Sequence, residues 1–253
     1  MVKVNVYGID GSKKETVSLP SPFETPIRPD IIQRSFNVLS SNKRQAYGPH
    51  YRAGAQHATA SVGKGQGRSR VPRLTQGRQA ALAPCVVGGR RAHPPTPLKN
   101  WHEKMNKKEK KMARLSALAA TTDKTLVSKR GHRFDEKITL PLIVDDEFDK
   151  LKKTKDVIKA LKDLGVYEDV IRAKNGKHIR AGKGKSRGRK YRIPKSLLII
   201  SSNPSFIKGS KNLTGIDVAH PHEVNIEHLA PGGTSGRLTL ITKSALSLLG
   251  GDA

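Results

Sequence analysis

The sequence predicts an α/β layered globular domain with a mainly parallel central sheet, and a long extended loop inserted after its first helix. Three observations predict this. Short continuous apolar runs, LIV at 142–144 and LLII at 197–200, are the pattern of strands buried on both faces. These runs alternate with helical patterns through the C-terminal half, which places helices on both sides of a parallel sheet. Between Ala46 and Leu98, in contrast, no sustained apolar period exists over about fifty residues, where loops of compact domains run to about six. An excursion of that length needs something outside the protein to order it.

The elements follow in order. VKVNVYG (Val2 to Gly8) alternates apolar and polar residues and GIDGS supplies a turn, so a first strand and hairpin are expected. SLPSPFETPIRP reads as proline-punctuated coil. Ile31, Ile32, Ser35, Phe36 and Leu39 then recur at helical spacing, predicting a helix from about Pro29 to Gln45 with proline in its first turn. After the Gly/Pro/Arg-rich segment, NWHEKMNKKEKKMARLSALAATT predicts an amphipathic helix capped by Asn100, with Trp101, Met105, Met112, Leu115, Leu118 and Ala119 along one side. The remainder offers TLVS (125–128), PLIVDD, KDVIKALKDLGV, EDVIRA, SLLIIS, GIDVAH, VNIEHLA and RLTLITKSALSLL as alternating strand and helix segments. Residues 1–45 and 101–253 are therefore assigned to the globular domain, 46–100 to the inserted loop, and 174–192 to a basic insertion within the globular part.

Charge is the second message. Lys and Arg number 48 against 21 acids, a formal net charge of +27 in 253 residues, and such self-repulsion points to a polyanionic partner. Its distribution is uneven. From Ile31 to His102 there is no acid and there are twelve Lys or Arg; from Val170 to Ile216 there is again no acid, with thirteen. Eleven of the acids fall between Asp123 and Asp169, so two basic blocks flank a balanced segment, as defined contact surfaces require. A single cysteine, Cys85, excludes an internal disulfide and a cysteine-rich zinc site, and a reducing compartment follows. The N-terminal segment is too short and too alternating for a signal peptide, and no apolar run approaches the length of a membrane span, so a soluble intracellular protein is expected.

Enzyme motifs fail on spacing. In SVGKGQGRSRVPRL (61–74) no glycine precedes the Lys-Ser/Thr pair of a phosphate loop. Gly184-Lys185-Ser186 ends like one, but Ile179 stands where its first glycine belongs. The dinucleotide fingerprint fails at Arg68 and at Arg187. Gly233-Thr234-Ser235-Gly236-Arg237 lacks the glycine placement of a nucleophile elbow. His220, His222, Glu223 and His228 are ligand types for zinc, yet no second ligand-rich segment accompanies them, and a loop contacting phosphate or capping a helix is the plainer reading. Cys85, in ALAPCVVGG, reads as a small apolar residue. No metal and no cofactor is expected.

The basic blocks pass the same scrutiny. KNGKHIRAGKGKSRGRKYR (174–192) interleaves nine Lys or Arg with small residues, which let backbone approach a phosphate ridge while arginine forks match its oxygens. In the 46–98 segment Tyr47, His50, Tyr51 and His57 add rings able to stack on unpaired bases. The candidate contact residues are Lys43, Arg44, Arg52, Lys64, Arg68, Arg70, Arg73, Arg78, Arg90 and Arg91 in the first block. In the second they are Lys177, Arg180, Lys183, Lys185, Arg187, Arg189, Lys190 and Arg192. A histone-like, single-strand-binding or other basic RNA- or DNA-binding architectural protein is the competing class, although none of these needs a buried sheet with so long an insertion.

Five ordered stretches carry a resemblance: TPIRPDIIQRSFNVLSSNKRQAYGPHYRAG, GKGQGRSRVPR, VVGGRRAHPPTP, NWHEKMNKKEKKMARLSALAAT and NIEHLAPGGTSGRLTLITKSAL. Together they resemble the large-subunit ribosomal protein four family in its archaeal and eukaryotic form, over nearly the whole chain. The resemblance implies a cytoplasmic structural protein, not an enzyme, bound to large-subunit rRNA and to neighbouring ribosomal proteins and present as a single copy. It implies further that the inserted loop penetrates the rRNA and reaches the nascent-peptide exit tunnel. Carried over by position, the tip falls near Val62 to Leu74, where Lys64, Gly65, Gly67, Arg68 and Arg70 match the family's Lys-Gly-x-Gly-Arg core. Gly63, Lys64, Gly65, Gln66, Gly67 and Arg68 are thus the expected tunnel-facing tip, near the nascent peptide, with the glycines keeping it slim.

Overall fold

A computed structural model of the chain describes residues 2–203 and 208–251. It has two compact units, one formed by residues up to Leu39 together with those from Lys104 onward, the other by Ser40–Glu103.

The first unit is built on a six-stranded sheet. Strand β1 (Lys3–Tyr7) turns through Gly8–Ser12 into β2 (Lys13–Ser18), its antiparallel partner at the sheet edge. The other strands, β5 (Leu142–Val144), β8 (Leu198–Ile200), β9 (Asp217–Ala219) and β10 (Thr239–Thr242), complete the order β2-β1-β5-β10-β8-β9, and every pairing except β1 with β2 is parallel. The α/β class with a mainly parallel sheet is thus the one the sequence predicts.

Why these residues make strands is visible in the sorting of their side chains. Successive strand residues point to opposite faces, and here both faces are covered. Ile143, Leu198, Ile200 and Ile241 enter one core, whereas Leu142, Val144, Ile199 and Leu240 enter the other. A continuous apolar run is the only pattern that satisfies both, and each of these side chains is fully buried. Burial of one such aliphatic side chain contributes about 1.5–3 kcal/mol.

The first core is closed by α1 (Pro29–Asn42), α2 (Lys107–Ala119), α7 (Ile226–Leu229) and α8 (Lys243–Gly251), through Ile32, Ala113, Ala117, Leu118, Leu229 and Ala245. The second is closed by α3 (Lys124–Lys129), α4 (Thr154–Asp163) and α5 (Tyr167–Asn175), through Val127, Val157, Leu161 and Val170. A short helix α6 (Lys208–Lys211) precedes β9.

Two expectations change, and the type of one segment, TLVS, is settled. The lysine-rich helix begins at Lys107 and not near Asn100, whose side chain instead accepts a hydrogen bond from the His102 amide in a local turn (2.9 Å). Trp101 and Met105 therefore lie outside it, and Met112 is 43% exposed, so the apolar side is carried by Ala113, Ala117 and Leu118. TLVS is the body of α3, held at its start by the Asp123 carboxylate accepting from the Thr125 amide (2.8 Å). The stretch Ser21–Glu24, expected as coil, forms a 3-10 turn that buries Phe23.

The second unit has little regular structure: β3 (Thr59–Ala60) pairs antiparallel with β4 (Arg73–Leu74). Elsewhere its two limbs meet backbone to backbone. A Cβ on Gly54 would stand 2.6 Å from the Arg90 backbone, and one on Gly48 would stand 2.5 Å from the Pro95 carbonyl, so only glycine fits at these crossings.

Candidate nucleic-acid interface

Pairing of Thr59 with Leu74 and of Ala60 with Arg73 makes residues 61–72 the tip of a hairpin. Within it Gly63, Gly65 and Gly67 have φ of 75°, 76° and 62°. These are left-handed conformations that cost an L-residue roughly 1–2 kcal/mol each. Space is not the reason for glycine here, because a Cβ at any of the three would meet nothing within 4 Å. Within the chain itself, then, these glycines are explained by backbone conformation. Lys64, Gln66, Arg68 and Arg70 are all exposed along this tip. No described carboxylate pairs with any of them.

Arg73 is different. It is half-buried and its Nη1 donates to the Arg78 carbonyl (2.6 Å), so one of its nitrogens already holds the hairpin together. Arg52, Arg78, Arg90 and Arg91 are exposed. Near the entry to the unit, the Arg44 guanidinium lies 3.7 Å from the centroid of the Trp101 ring and the Lys99 ammonium 4.2 Å from it, both as cation–π contacts. Lys43 is exposed beside them in sequence. Tyr51 is 83% exposed, with the His50 ring at 4.6 Å and the Arg52 guanidinium at 5.7 Å from its own centre. Such a ring, open on a basic segment, is a surface on which a base can stack.

The second basic block also folds as a hairpin. β6 (His178–Ile179) pairs with β7 (Tyr191–Arg192), and a 3-10 turn at Lys183–Ser186 forms its end. Lys177, Arg180, Lys183, Lys185, Arg187, Arg189, Lys190 and Arg192 are all exposed. Lys177 and Lys190 lie over the Tyr191 ring at 4.4 and 5.5 Å. Gly184-Lys185-Ser186 therefore sits on an exposed turn, and not between a buried strand and a helix where a nucleotide loop operates.

The histidines have local roles. His220 Nδ1 accepts from the His222 amide (3.4 Å), and their rings tilt together at 5.1 Å. His228 sits within α7, whose cap is the Asn225 side chain accepting from the His228 amide (3.1 Å); burial pushes its pKa below the usual value. Among the described residues no group of three or more His, Cys, Asp or Glu is placed to hold a metal. Cys85 is a free, exposed cysteine.

Two buried polar clusters escape a sequence reading. Arg237 is fully buried, pairs with Asp217 (2.7 Å) and donates to the Ser196, Leu197, Gly215 and His228 carbonyls. His132 Nδ1 and Arg172 Nε meet the buried Asp169 carboxylate at 3.0 and 2.8 Å, and the Arg133 amide donates to it at 3.0 Å. Burial acts to raise the pKa of Asp169, but the hydrogen bonds from His132 and Arg172 outweigh it and hold the carboxyl below its ordinary value. For His132 burial prevails over Asp169 and pushes the pKa down. Both clusters fix the ends of strands and helices, and Arg172, one of the thirteen cations of the second acid-free stretch, is engaged by Asp169 and by the Lys195 carbonyl.

A statistical model of the Ribosomal protein L4/L1 family matches residues 17–252. The chain belongs to this family. It is 45% identical to the large ribosomal subunit protein uL4 of Thermoplasma acidophilum, over 98% of this chain and 97% of that protein. The uL4 proteins of Archaeoglobus fulgidus and Methanocaldococcus jannaschii are 45% and 47% identical, each over 98% of both chains. The family is one of structural constituents of the large ribosomal subunit and not of enzymes, in line with the failure of every catalytic motif tested above. No helix among the described residues is long and apolar enough to cross a membrane.

Proposed function

We propose that the chain, as a structural constituent of the large ribosomal subunit in the cytoplasm, binds large-subunit rRNA through its two basic hairpins and supports assembly of that subunit. The tip around Gly63–Arg68 then forms part of the wall of the nascent-peptide exit tunnel, in a single copy beside neighbouring ribosomal proteins. One observation carries the RNA reading. The basic side chains of both hairpin tips are exposed, lie in stretches without acids, and face no described carboxylate. Such charge is costly to keep together without a polyanion, and phosphates that replace their counterions with these side chains supply the binding free energy.

The mechanism is positional. Arginines spaced along the 40–103 unit suit successive phosphates of a threaded segment, and Tyr51 offers a face to an unpaired base. Limited proteolysis is the first test. The RNA-free chain is expected to be cut within 46–98 and to become resistant there when large-subunit rRNA is bound; full protection without RNA would overturn the reading. Crosslinking tests the tip separately. A photoreactive group at Gln66 is expected to reach a stalled nascent chain, and if it reaches rRNA alone, the tunnel role fails while RNA binding stands.

A further inference from the structure

The first unit carries a groove that neither basic hairpin uses. It has a volume of ≈ 490 Å³ and lies between α1, α2, the segment His222–Ile226 and α8. Along α2 it runs from Lys107 to Leu118, about 16 Å at the rise of an α-helix.

Its rim and floor differ in kind. Lys107, Lys110, Lys111 and Arg114 recur at i, i+3, i+4 and i+7 on α2, so they form one basic edge. Lys107, Lys110 and Lys111 are exposed and none pairs with a described carboxylate. Glu109, the acid of this helix, faces Arg34 instead (3.4 Å), and the acid of the groove lining is Glu223 on the opposite side. Beneath the edge Leu39 and Leu115 are half-buried over Leu118 and Val224.

We propose that this groove docks an acidic amphipathic helix of a partner protein, with aliphatic anchors at i, i+3/i+4 and i+7 seated on Leu39 and Leu115 and carboxylates along the lysine edge. Charge complementarity sets the sign of the partner, since an edge of unpaired lysines favours carboxylates or phosphates. The floor chooses between them. Apart from the His222 imidazole its lining has no aromatic ring, and it has no glycine-lined backbone and a single arginine, the groups by which both hairpins suit nucleic acid; aliphatic carbon is what leucine-type anchors bury. The proposal does not rest on the ribosomal reading.

Fluorescence anisotropy with the full chain tests it. The probe is a designed, labelled peptide of about 14 residues, four helical turns, with leucines on one face and glutamates elsewhere. Its control has the same composition in scrambled order. The amphipathic peptide is expected to bind about tenfold more tightly than the scramble, and Leu115→Gln or Lys110→Gln/Lys111→Gln to remove most of that preference. Amide exchange should slow in α2 and not in the hairpins, and circular dichroism checks that each variant is folded. Equal binding of both peptides, or unchanged binding by folded Leu115→Gln, overturns the proposal. Displacement of the peptide by a single-stranded oligoribonucleotide that itself protects α2 also overturns it and gives the groove to RNA.

Discussion

Arg237 and Asp217 show how much one buried side chain can hold. The guanidinium fastens β10 to the ends of β8 and β9 and to α7 through four carbonyls and one carboxylate. Replacing it with Met leaves those acceptors unmatched, so Arg237→Met is expected to lower unfolding free energy by about 3–5 kcal/mol, measured by urea denaturation. Adding Asp217→Asn should cost less than the two single changes summed, because Lys195, 2.8 Å from Asp217, is then the only charge left without its partner. His132 gives a pH signature. Its folded pKa is depressed below the ordinary 6.5, so the unfolded chain takes up the proton first and stability is lost as pH falls from that value through the folded pKa. The urea midpoint should therefore drop on acidification from pH of about 7.5 to about 5. His132→Asn, which still offers Asp169 a donor, should flatten that drop, leaving the part due to His228, whose pKa is shifted in the same direction.

At the level of elements, the tip glycines separate conformation from bulk. Gly65→Ala is expected to strain only the tip, by about 1–2 kcal/mol, and to leave the melting of the first unit unchanged. A D-alanine at the same place accepts positive φ yet adds the methyl group. If the tip borders a narrow channel, ribosomes carrying D-alanine should elongate poorly although its backbone is unstrained, and normal elongation would leave conformation as the glycines' only role. Sequence reading found the elements whose cause is local. LIV and LLII announce strands packed on both faces, and the 2–18 hairpin announces itself by alternation and a glycine turn. It misplaced the start of α2 because Trp101 and Met105 extend an apparent apolar stripe, whereas Trp101 packs against Arg44 and Lys99. The position of β10 between β5 and β8, and the burial of Arg237, depend on partners far away along the chain. Periodicity carries no signal of either. The basic hairpin tips were legible as charge without acid, but their β3–β4 and β6–β7 pairings, two residues long each, fall below what alternation can mark.

For the whole molecule, two acid-free stretches rich in exposed cations on one chain make RNA affinity a steep function of salt. If about ten side chains neutralise phosphates, the slope of log K against log salt is expected near −9, and filter binding across salt concentrations measures it. Charge-neutral substitution of Arg187, Arg189 and Lys190 should make the slope shallower by about one unit for each phosphate no longer neutralised, whereas a slope unaffected by these changes would remove the second hairpin from the interface. The pair of cations on either side of Trp101 has an optical consequence. This is the chain's one tryptophan, so excitation at its red absorption edge illuminates a single locus in a molecule otherwise dark at that wavelength. Any RNA that draws Arg44 off the ring changes the local field on the indole, and its emission should shift as RNA is added. The unmodified protein thus carries its own label at the entrance to the inserted segment.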